Sequence, residues 1–169
     1  MTPVLLDSSS AILLHKADLM EVVADAYAAF MVPSVFREIT VAGQSGAAWF
    51  SRAMIEGKVK LLPLDGDAPA VGSLGRLDAG ERDTMVAYGR GAMRFIIIDD
   101  RKGVQFCRTM AIPHINALLC PKILYWSGWI NRQRYCSALG FLLQTGRYST
   151  YVTDYARRCT AAQLTAFYP

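Results

Sequence analysis

The chain has 169 residues, with 18 lysines and arginines against 14 acidic residues and a formal net charge of +4. That length suits one domain with a sizeable buried core. Apolar residues make up 53% of the chain and charged residues 19%, which excludes an intrinsically disordered chain, a collagen-like repeat and a coiled coil.

Apolar runs predict buried strands, and apolar residues three and four positions apart predict helices. In chain order, the first half is predicted to contain a strand at 4–6, a helix from about residue 11 capped by the serines at 8–10, a helix at 20–30, an extended piece at 31–33, a helix begun by Ser34, a helix at 47–55 and a strand at 59–62. A loop is predicted at 63–76. The second half is predicted to contain a helix at 77–89 capped by Asp78, a strand at 95–98, a helix ending near Met110, a strand at 114–119 and helices beyond. Strands that alternate with helices predict a three-layer α/β fold around a parallel sheet.

The four cysteines, at positions 107, 120, 136 and 159, contain no Cys-x-x-Cys pair, which argues against a zinc knuckle or a thioredoxin motif. We expect buried thiols in a reducing compartment. The start of the chain does not have the pattern of a signal peptide. Residues 111–130 are apolar, but prolines, a histidine and a lysine interrupt them, so we expect no membrane span and a cytoplasmic protein.

Charge is distributed unevenly along the chain. Residues 1–100 hold 13 acids and nine bases, a net charge of −4, whereas residues 101–169 hold one acid, Asp154, and nine bases, a net charge of +8. A basic C-terminal third favours a polyanion or an acidic protein as partner. The alternative is that these bases are spread over several faces and only keep the chain in solution.

Acidic residues follow the predicted strands. Asp7 comes directly after the first strand, and Asp99 and Asp100 follow the most hydrophobic one. Ligands of open α/β sheets bind at the carboxyl ends of the strands, and Glu38 and Glu81 lie near helix starts that can open at the same edge. Clustered carboxylates favour Mg²⁺ or Mn²⁺, which activate water for attack on phosphorus. The alternative is that Asp7 and Asp99 cap helices while the two glutamates pair with neighbouring arginines.

Four short segments occur in order: Val-Leu-Leu-Asp-Ser-Ser at 4–9, Val-Pro-Ser-Val-Phe-Arg-Glu at 32–38, Leu-Asp-Ala-Gly-Glu at 77–81 and Ile-Ile-Ile-Asp-Asp-Arg at 96–101. Together they resemble the PIN-domain ribonucleases, most closely a toxin-type branch with a Gly-Glu helix start. The resemblance implies an α/β/α sandwich with a mostly parallel central sheet. It also implies one PIN-like nuclease domain over residues 3–158, with the helical part from about residue 120 packed on it.

The resemblance assigns the site residue by residue. It implies that Asp7, Glu38, Glu81 and Asp99 are catalytic and bind Mg²⁺ or Mn²⁺ for hydrolysis of RNA phosphodiester bonds. If the family motif is aligned one residue further along the chain, Asp100 instead of Asp99 is the fourth metal ligand. Asp99 is favoured. Ser9 stands where the family carries a small polar residue, and it would hold a water or a phosphate oxygen. Residues expected to bind substrate are Ser9, Arg101, Lys102 and Arg108.

The resemblance also implies partners. Many relatives are toxins of toxin–antitoxin pairs, act on RNA and form homodimers, so RNA, an antitoxin protein and a second copy are the expected partners, with no membrane. Tyr125, Trp126 and Trp129 would either stack on exposed bases or serve as core or dimer-interface residues. Where relatives of this branch carry Gly-Thr, this chain has Asn116 and Ala117.

Two other classes remain open. One is a catalytically silent PIN-like module that binds nucleic acid or a protein through its basic face. The other is a phosphotransfer receiver, which also places acids at strand ends. The receiver ranks lower because no lysine matches the one that such domains carry after a late strand.

Overall fold

The computed structural model describes residues 1–64 and 77–169, which form five strands and ten α-helices. The strands are β1 (Pro3–Leu6), β2 (Ala28–Met31), β3 (Val59–Leu61), β4 (Phe95–Ile97) and β5 (His114–Ile115). The helices are α1 (Ser8–Lys16), α2 (Met20–Ala26), α3 (Pro33–Ile39), α4 (Ala47–Ile55), α5 (Ala79–Gly89), α6 (Arg101–Thr109), α7 (Cys120–Trp126), α8 (Arg132–Thr145), α9 (Thr150–Arg158) and α10 (Ala161–Leu164). The loop predicted at 63–76 lies, beyond Leu64, outside the described residues.

The five strands pair in parallel in the order β3-β2-β1-β4-β5. The strand order reverses between β1 and β4, which makes the gap between their carboxyl ends the topological switch point of the sheet. Because crossovers between parallel strands are right-handed, connections on the two sides of this point cover opposite faces. The result is the predicted three-layer α/β/α arrangement, with a sheet that is parallel throughout.

The two central strands are buried on both faces. Leu5 and Ile96, which pair in the sheet, are both fully buried, and such strands consist of continuous apolar runs. The edge strand β3 differs, since Lys60 and Leu61 are exposed. The most hydrophobic runs of the sequence therefore lie at the centre of the core, and their ends define the switch point.

Two predicted elements extend well beyond their observed ends. The helix predicted at 20–30 ends at Ala26, and the chain continues as β2. All four residues of β2 are apolar, although only Ala29 and Met31 are fully buried. The sequence therefore lacks the alternating pattern that separates strand from helix, which explains the error. The strand predicted at 114–119 ends at Ile115, because the Asn116 side chain accepts a 3.2 Å hydrogen bond from the Leu119 amide and caps a 3₁₀ turn.

Two of the C-terminal helices, α7 and α9, are joined by polar contacts of one buried lysine. The ammonium of Lys122 is buried and donates to the carbonyls of Ala156, Arg157 and Cys159 at 2.5, 3.1 and 3.3 Å. These carbonyls lie at the C-terminal end of α9, where a cation is stabilised by the helix dipole. Lys122 is therefore a structural residue rather than one of the surface bases that its position in the sequence indicates.

Two further expectations concern the burial of the cysteines and the absence of a membrane span. Three cysteines are buried and free as predicted, whereas Cys136 is free and exposed on α8. Within residues 1–64 and 77–169, no helix has both the length and the apolar character needed to cross a membrane.

Candidate functional site

The carboxyl ends of three neighbouring strands meet at the switch point. Leu6 is in register with Ile97, and Ile97 with Ile115. The Asp7 amide donates a 3.0 Å hydrogen bond to the Ile97 carbonyl as β1 ends. Asp7 and Asp99 therefore leave adjacent strands at one edge of the sheet, as the sequence predicts.

Asp7 is a buried carboxylate at the start of α1. Its Oδ2 accepts hydrogen bonds from the Ser9 amide at 3.1 Å and from the Ser9 hydroxyl at 2.5 Å. The helix thus begins at Ser8, three residues earlier than predicted, and Asp7 rather than a serine is its N-cap. Only 2% of Asp7 is exposed, and burial raises its pKa from 3.8 to about 6, with a further contribution from the charge of Asp99. The hydroxyl of Ser9 points to Asp7, so Ser9 positions a carboxylate.

Asp99 is surrounded by hydrogen-bond donors. Its Oδ2 accepts from the Ser10 hydroxyl at 2.6 Å and from the Ala117 amide at 2.9 Å, and its Oδ1 accepts from the Tyr148 hydroxyl at 2.5 Å. Burial raises the pKa of Asp99, and these donors oppose that shift. Asp99 does not cap a helix; it connects α1, the 3₁₀ turn after β5 and the loop before α9.

Glu81 and Asp100 form a second carboxyl pair. Asp78 and Glu81 form a capping box, in which the Glu81 amide donates to Asp78 at 2.8 Å and the Asp78 amide donates to Glu81 Oε2 at 3.0 Å. The other oxygen, Oε1, is buried and accepts no hydrogen bond from the described residues. Asp100 caps α6 by accepting from the Lys102 amide at 2.7 Å.

The two carboxyls of this pair influence each other's ionisation. Burial, together with the neighbouring Asp100, raises the pKa of Glu81 to about 8. The pKa of Asp100 is lowered by its interaction with Glu81 and by the amides of Lys102 and Gly103, which donate to it. Glu81 is therefore the member of the pair that keeps its proton to the higher pH.

Glu38 lies on the exposed side of this pair. Its helix, α3, begins at Pro33 with Val32 as the N-cap, not with Ser34 as predicted. A Cβ added to Gly80 would lie 3.5 Å from Glu38 Oε2, so Glu38 is beside the residue that precedes Glu81. In the described part of the chain neither glutamate forms an ion pair with an arginine.

The donor set fits a hard divalent cation, although its side chains are arranged in pairs. Asp7 lies close to Asp99, and Glu81 to Asp100; no three His, Cys, Asp or Glu side chains of the described residues are placed to hold one ion together. Among the described residues, the buried Oε1 of Glu81 has no hydrogen-bond partner, and carboxylate oxygens are the ligands that Mg²⁺ and Mn²⁺ prefer. Residues that could bind such an ion are Asp7, Glu38, Glu81, Asp99 and Asp100.

A cleft of about 800 Å³ opens beside Asp99, between α6, the end of β5 and α9. Two predicted substrate-binding residues, Arg101 and Arg108, line it together with Arg147. Lys102 does not line it: its side chain is exposed elsewhere, and its backbone amide binds Asp100. The structure thus brings two of the three predicted bases to a cleft that adjoins the acids.

Several residues at this site have no local signal in the sequence. Ser10, Tyr148 and Arg147 carry no motif, and only the basic composition of the C-terminal third indicated Arg147. The aromatic residues considered for base stacking lie elsewhere. Tyr125 stacks on Tyr135 with ring centroids 5.1 Å apart, and Trp126 lies beneath the Lys122 ammonium at 5.1 Å.

Searches of curated proteins and of solved structures find no match to this chain. A protein-family model described as PIN domain matches residues 3–119. This span runs from β1 through the turn after β5, and it contains the whole sheet and all five acids of the candidate site. The chain therefore belongs to the PIN-domain family, whose members are generally nucleases that typically use divalent metals.

Proposed function

We propose that this protein is an endoribonuclease that hydrolyses RNA phosphodiester bonds with Mg²⁺ or Mn²⁺. One juxtaposition carries the proposal: carboxyl pairs at the switch point of the sheet, each with one buried member, adjoin an arginine-lined cleft. Carboxylates suit a divalent cation, and arginines suit the phosphates of a nucleic acid. A nuclease needs both within reach of one substrate.

The hydrogen bonds suggest different roles for Asp99 and Asp100. Both oxygens of Asp99 already accept from protein donors, which favours a role in positioning the edge of the sheet. Asp100 uses Oδ1 to cap α6 and faces Glu81. We therefore propose Glu81 and Asp100 as the principal metal ligands of their pair and Asp7 as that of its own pair, with Glu38 joining from the exposed side.

Different residues of the chain have different roles in the proposed reaction. A bound Mg²⁺ or Mn²⁺ supplies a Lewis acid for the phosphoryl group and lowers the pKa of water. Ser9 orients Asp7, and Asp78 holds Glu81. A cation held by Glu81 and Asp100 would favour the ionised form of both carboxyls. Arg101 and Arg108 bind the phosphates and balance the charge that develops on the non-bridging oxygens.

Cleavage of a labelled RNA that contains paired and unpaired regions tests this proposal. The wild type, Asp7→Asn and the control Asp25→Asn are each incubated with Mn²⁺, Mg²⁺ or chelator. Asp25 is exposed on α2, so its substitution makes the same change in charge away from the site. Metal-dependent cleavage by the wild type and the control, but not by Asp7→Asn, is the expected result. Equal cleavage by all three proteins would contradict it.

A second candidate is a catalytically silent nucleic-acid binding module. It is favoured by the full engagement of the Asp99 carboxylate and by the pairwise arrangement of the described acids. If neither metal supports cleavage by the wild type, and RNA binding remains sensitive to salt, this candidate replaces the nuclease.

The family resemblance extends the proposal to a cellular role: a toxin of a toxin–antitoxin pair that acts on RNA in the cytoplasm as a homodimer. Growth arrest on expression of the wild type, but not of Asp7→Asn, is expected for a toxin. Equal growth of both strains would contradict that role. Sedimentation equilibrium of the purified chain tests the homodimer.

A further inference from the structure

We propose that the cleft beside Asp99 binds an unpaired nucleic-acid strand, with Arg147 contacting its phosphates and Tyr151 and Tyr155 of α9 stacking on its bases. This inference rests on the proposed function for the reaction that follows binding. Its new part is a strand-binding platform on α9 and the loop before it, which lie beyond the matched residues 3–119.

The first line of support is unpaired positive charge. Arg101 and Arg108 are exposed, project from α6 into the cleft, and face Arg147 on the opposite wall. None of the three forms an ion pair within the described part of the chain. The one acid among the described lining residues is Asp99, whose oxygens are engaged by donors. The cleft therefore attracts a polyanion.

Several lysines and arginines that do not line the cleft have partners within the protein. Arg134 is 3.1 Å from Asp18, and Arg158 is 3.4 Å from Asp154. Lys122 is buried against the end of α9. Exposed arginines elsewhere, such as Arg132, also form no ion pair among the described residues, but Arg101, Arg108 and Arg147 are the three that line one cleft beside the candidate active site. Several unpaired arginines along one cleft suit the successive phosphates of a nucleic-acid strand.

The second line of support is a pair of exposed aromatic rings. Tyr151 is 73% exposed and Tyr155 is 41% exposed, and both line the cleft. They are four residues apart on α9, so they lie on the same face of the helix. Two solvent-exposed rings in sequence beside arginines form the kind of surface on which successive unpaired bases stack.

The shape and chemistry favour a single strand over a duplex. The cleft has walls on α6 and α9, and its volume of about 800 Å³ lies near the upper end of the range for small-ligand pockets. Stacking requires free base faces, which a duplex does not offer. A duplex could use the arginines but not the two tyrosines.

Fluorescence anisotropy of a short labelled oligouridine, measured in chelator so that no metal-dependent cleavage occurs, tests the aromatic platform. Tyr151→Ala/Tyr155→Ala is expected to raise Kd about tenfold or more, since each stack is worth roughly 1–3 kcal/mol. Tyr151→Phe/Tyr155→Phe keeps the rings and is expected to bind like the wild type. Trp129→Ala is the matched control, because Trp129 is 44% exposed and does not line the cleft.

The salt dependence of binding tests the contribution of Arg147. Arg147→Gln is expected to lower the slope of log K against log salt by about 0.7, the value for one lost phosphate contact on a single strand. Arg132→Gln, an exposed arginine that does not line the cleft, is expected to leave the slope unchanged. A blunt duplex is expected to bind more weakly than the oligouridine and to be insensitive to the tyrosine substitutions.

An unchanged Kd in Tyr151→Ala/Tyr155→Ala would overturn the inference. If that variant also turns a dimer into a monomer while oligouridine binding stays the same, the surface is a dimer interface instead. Cleavage in Mn²⁺ is measured separately: its absence would count against the nuclease alone, and an unchanged Kd with cleavage retained would count against the platform alone.

Discussion

Tyr148 donates a 2.5 Å hydrogen bond to Oδ1 of Asp99, 49 positions earlier in the chain. The contact ties the loop between α8 and α9 to the carboxyl edge of the sheet. Because burial raises the pKa of Asp99, each donor around that carboxylate helps to stabilise its charged form. The C-terminal helices thus contribute directly to the electrostatics of the candidate site.

Removal of this donor is expected to destabilise the fold. Tyr148→Phe should lower the free energy of unfolding by about 1.5–3 kcal/mol, the range for a hydrogen bond to a charged group. Urea unfolding at neutral pH measures the effect. The control is Tyr27→Phe, because Tyr27 donates at 2.7 Å to the neutral carbonyl of Phe167, a bond worth about 0.5–1.5 kcal/mol. A larger loss in Tyr27→Phe than in Tyr148→Phe would contradict the charged state of Asp99.

Asp7→Asn is expected to stabilise the metal-free protein in a pH-dependent way. The folded pKa of Asp7 is about 6, above its ordinary value of 3.8. Its contribution to stability is therefore fully present below about pH 4 and is lost as the pH rises through 6. Asp7→Asn avoids this loss, so it should exceed the wild type by up to about 3 kcal/mol at pH 8 and match it at pH 4.

Urea unfolding in chelator at both pH values measures this difference, with Asp25→Asn as the control. An advantage of Asp7→Asn that is equally large at pH 4 and pH 8 would show that ionisation of Asp7 is not its cause. Added Mn²⁺ should narrow the gap at pH 8, since a cation that binds only the folded wild type stabilises it.

Binding of Mn²⁺ is expected to release a proton from the Glu81–Asp100 pair. The pKa of Glu81 is about 8, so the pair is protonated at pH 7, and metal affinity should rise with pH up to about 8. Calorimetric titration in two buffers of different ionisation enthalpy counts the protons released. Glu81→Gln should remove this release, whereas Glu56→Gln, a change at the exposed end of α4, should retain it. Equal release by both variants would assign the proton to another group.

Two glycine substitutions are expected to have opposite signs. A Cβ at Gly103 would collide with Cδ1 of the buried Ile98 and lie 3.5 Å from Glu81 Oε1. Gly103→Ala should therefore cost about 1–3 kcal/mol of stability. A Cβ at Gly140, inside α8, would meet nothing within 4 Å, so Gly140→Ala should add about 0.5–1 kcal/mol.

Thermal unfolding of both variants tests this contrast. In the Gly103→Ala background, Ile98→Val removes the colliding methyl group and should restore part of the loss. If the second substitution adds its own cost instead, the collision with Ile98 is not the cause of the destabilisation.

Much of the fold could be predicted because its strongest signals are local. The run at 95–98 is apolar and β-branched, and only a central strand covered on both faces accommodates it. Asp78 precedes a helix with a glutamate three positions later, which is the signature of a capping box, and the structure confirms it. β2 was missed because its apolar residues follow an apolar helix without a break in the pattern.

The sequence by itself determined the α/β class, the central strands and the position of Asp7, Asp99 and Asp100 at strand ends, since each follows from residue types within a few positions. Only the tertiary structure decided how those acids are used. Asp99 accepts from Ser10 and Tyr148, whereas Asp100 pairs with Glu81. These partners are 19 to 89 positions apart in the chain, and hydrogen bonds over such separations depend on strand order and helix packing, which no local pattern of side chains records.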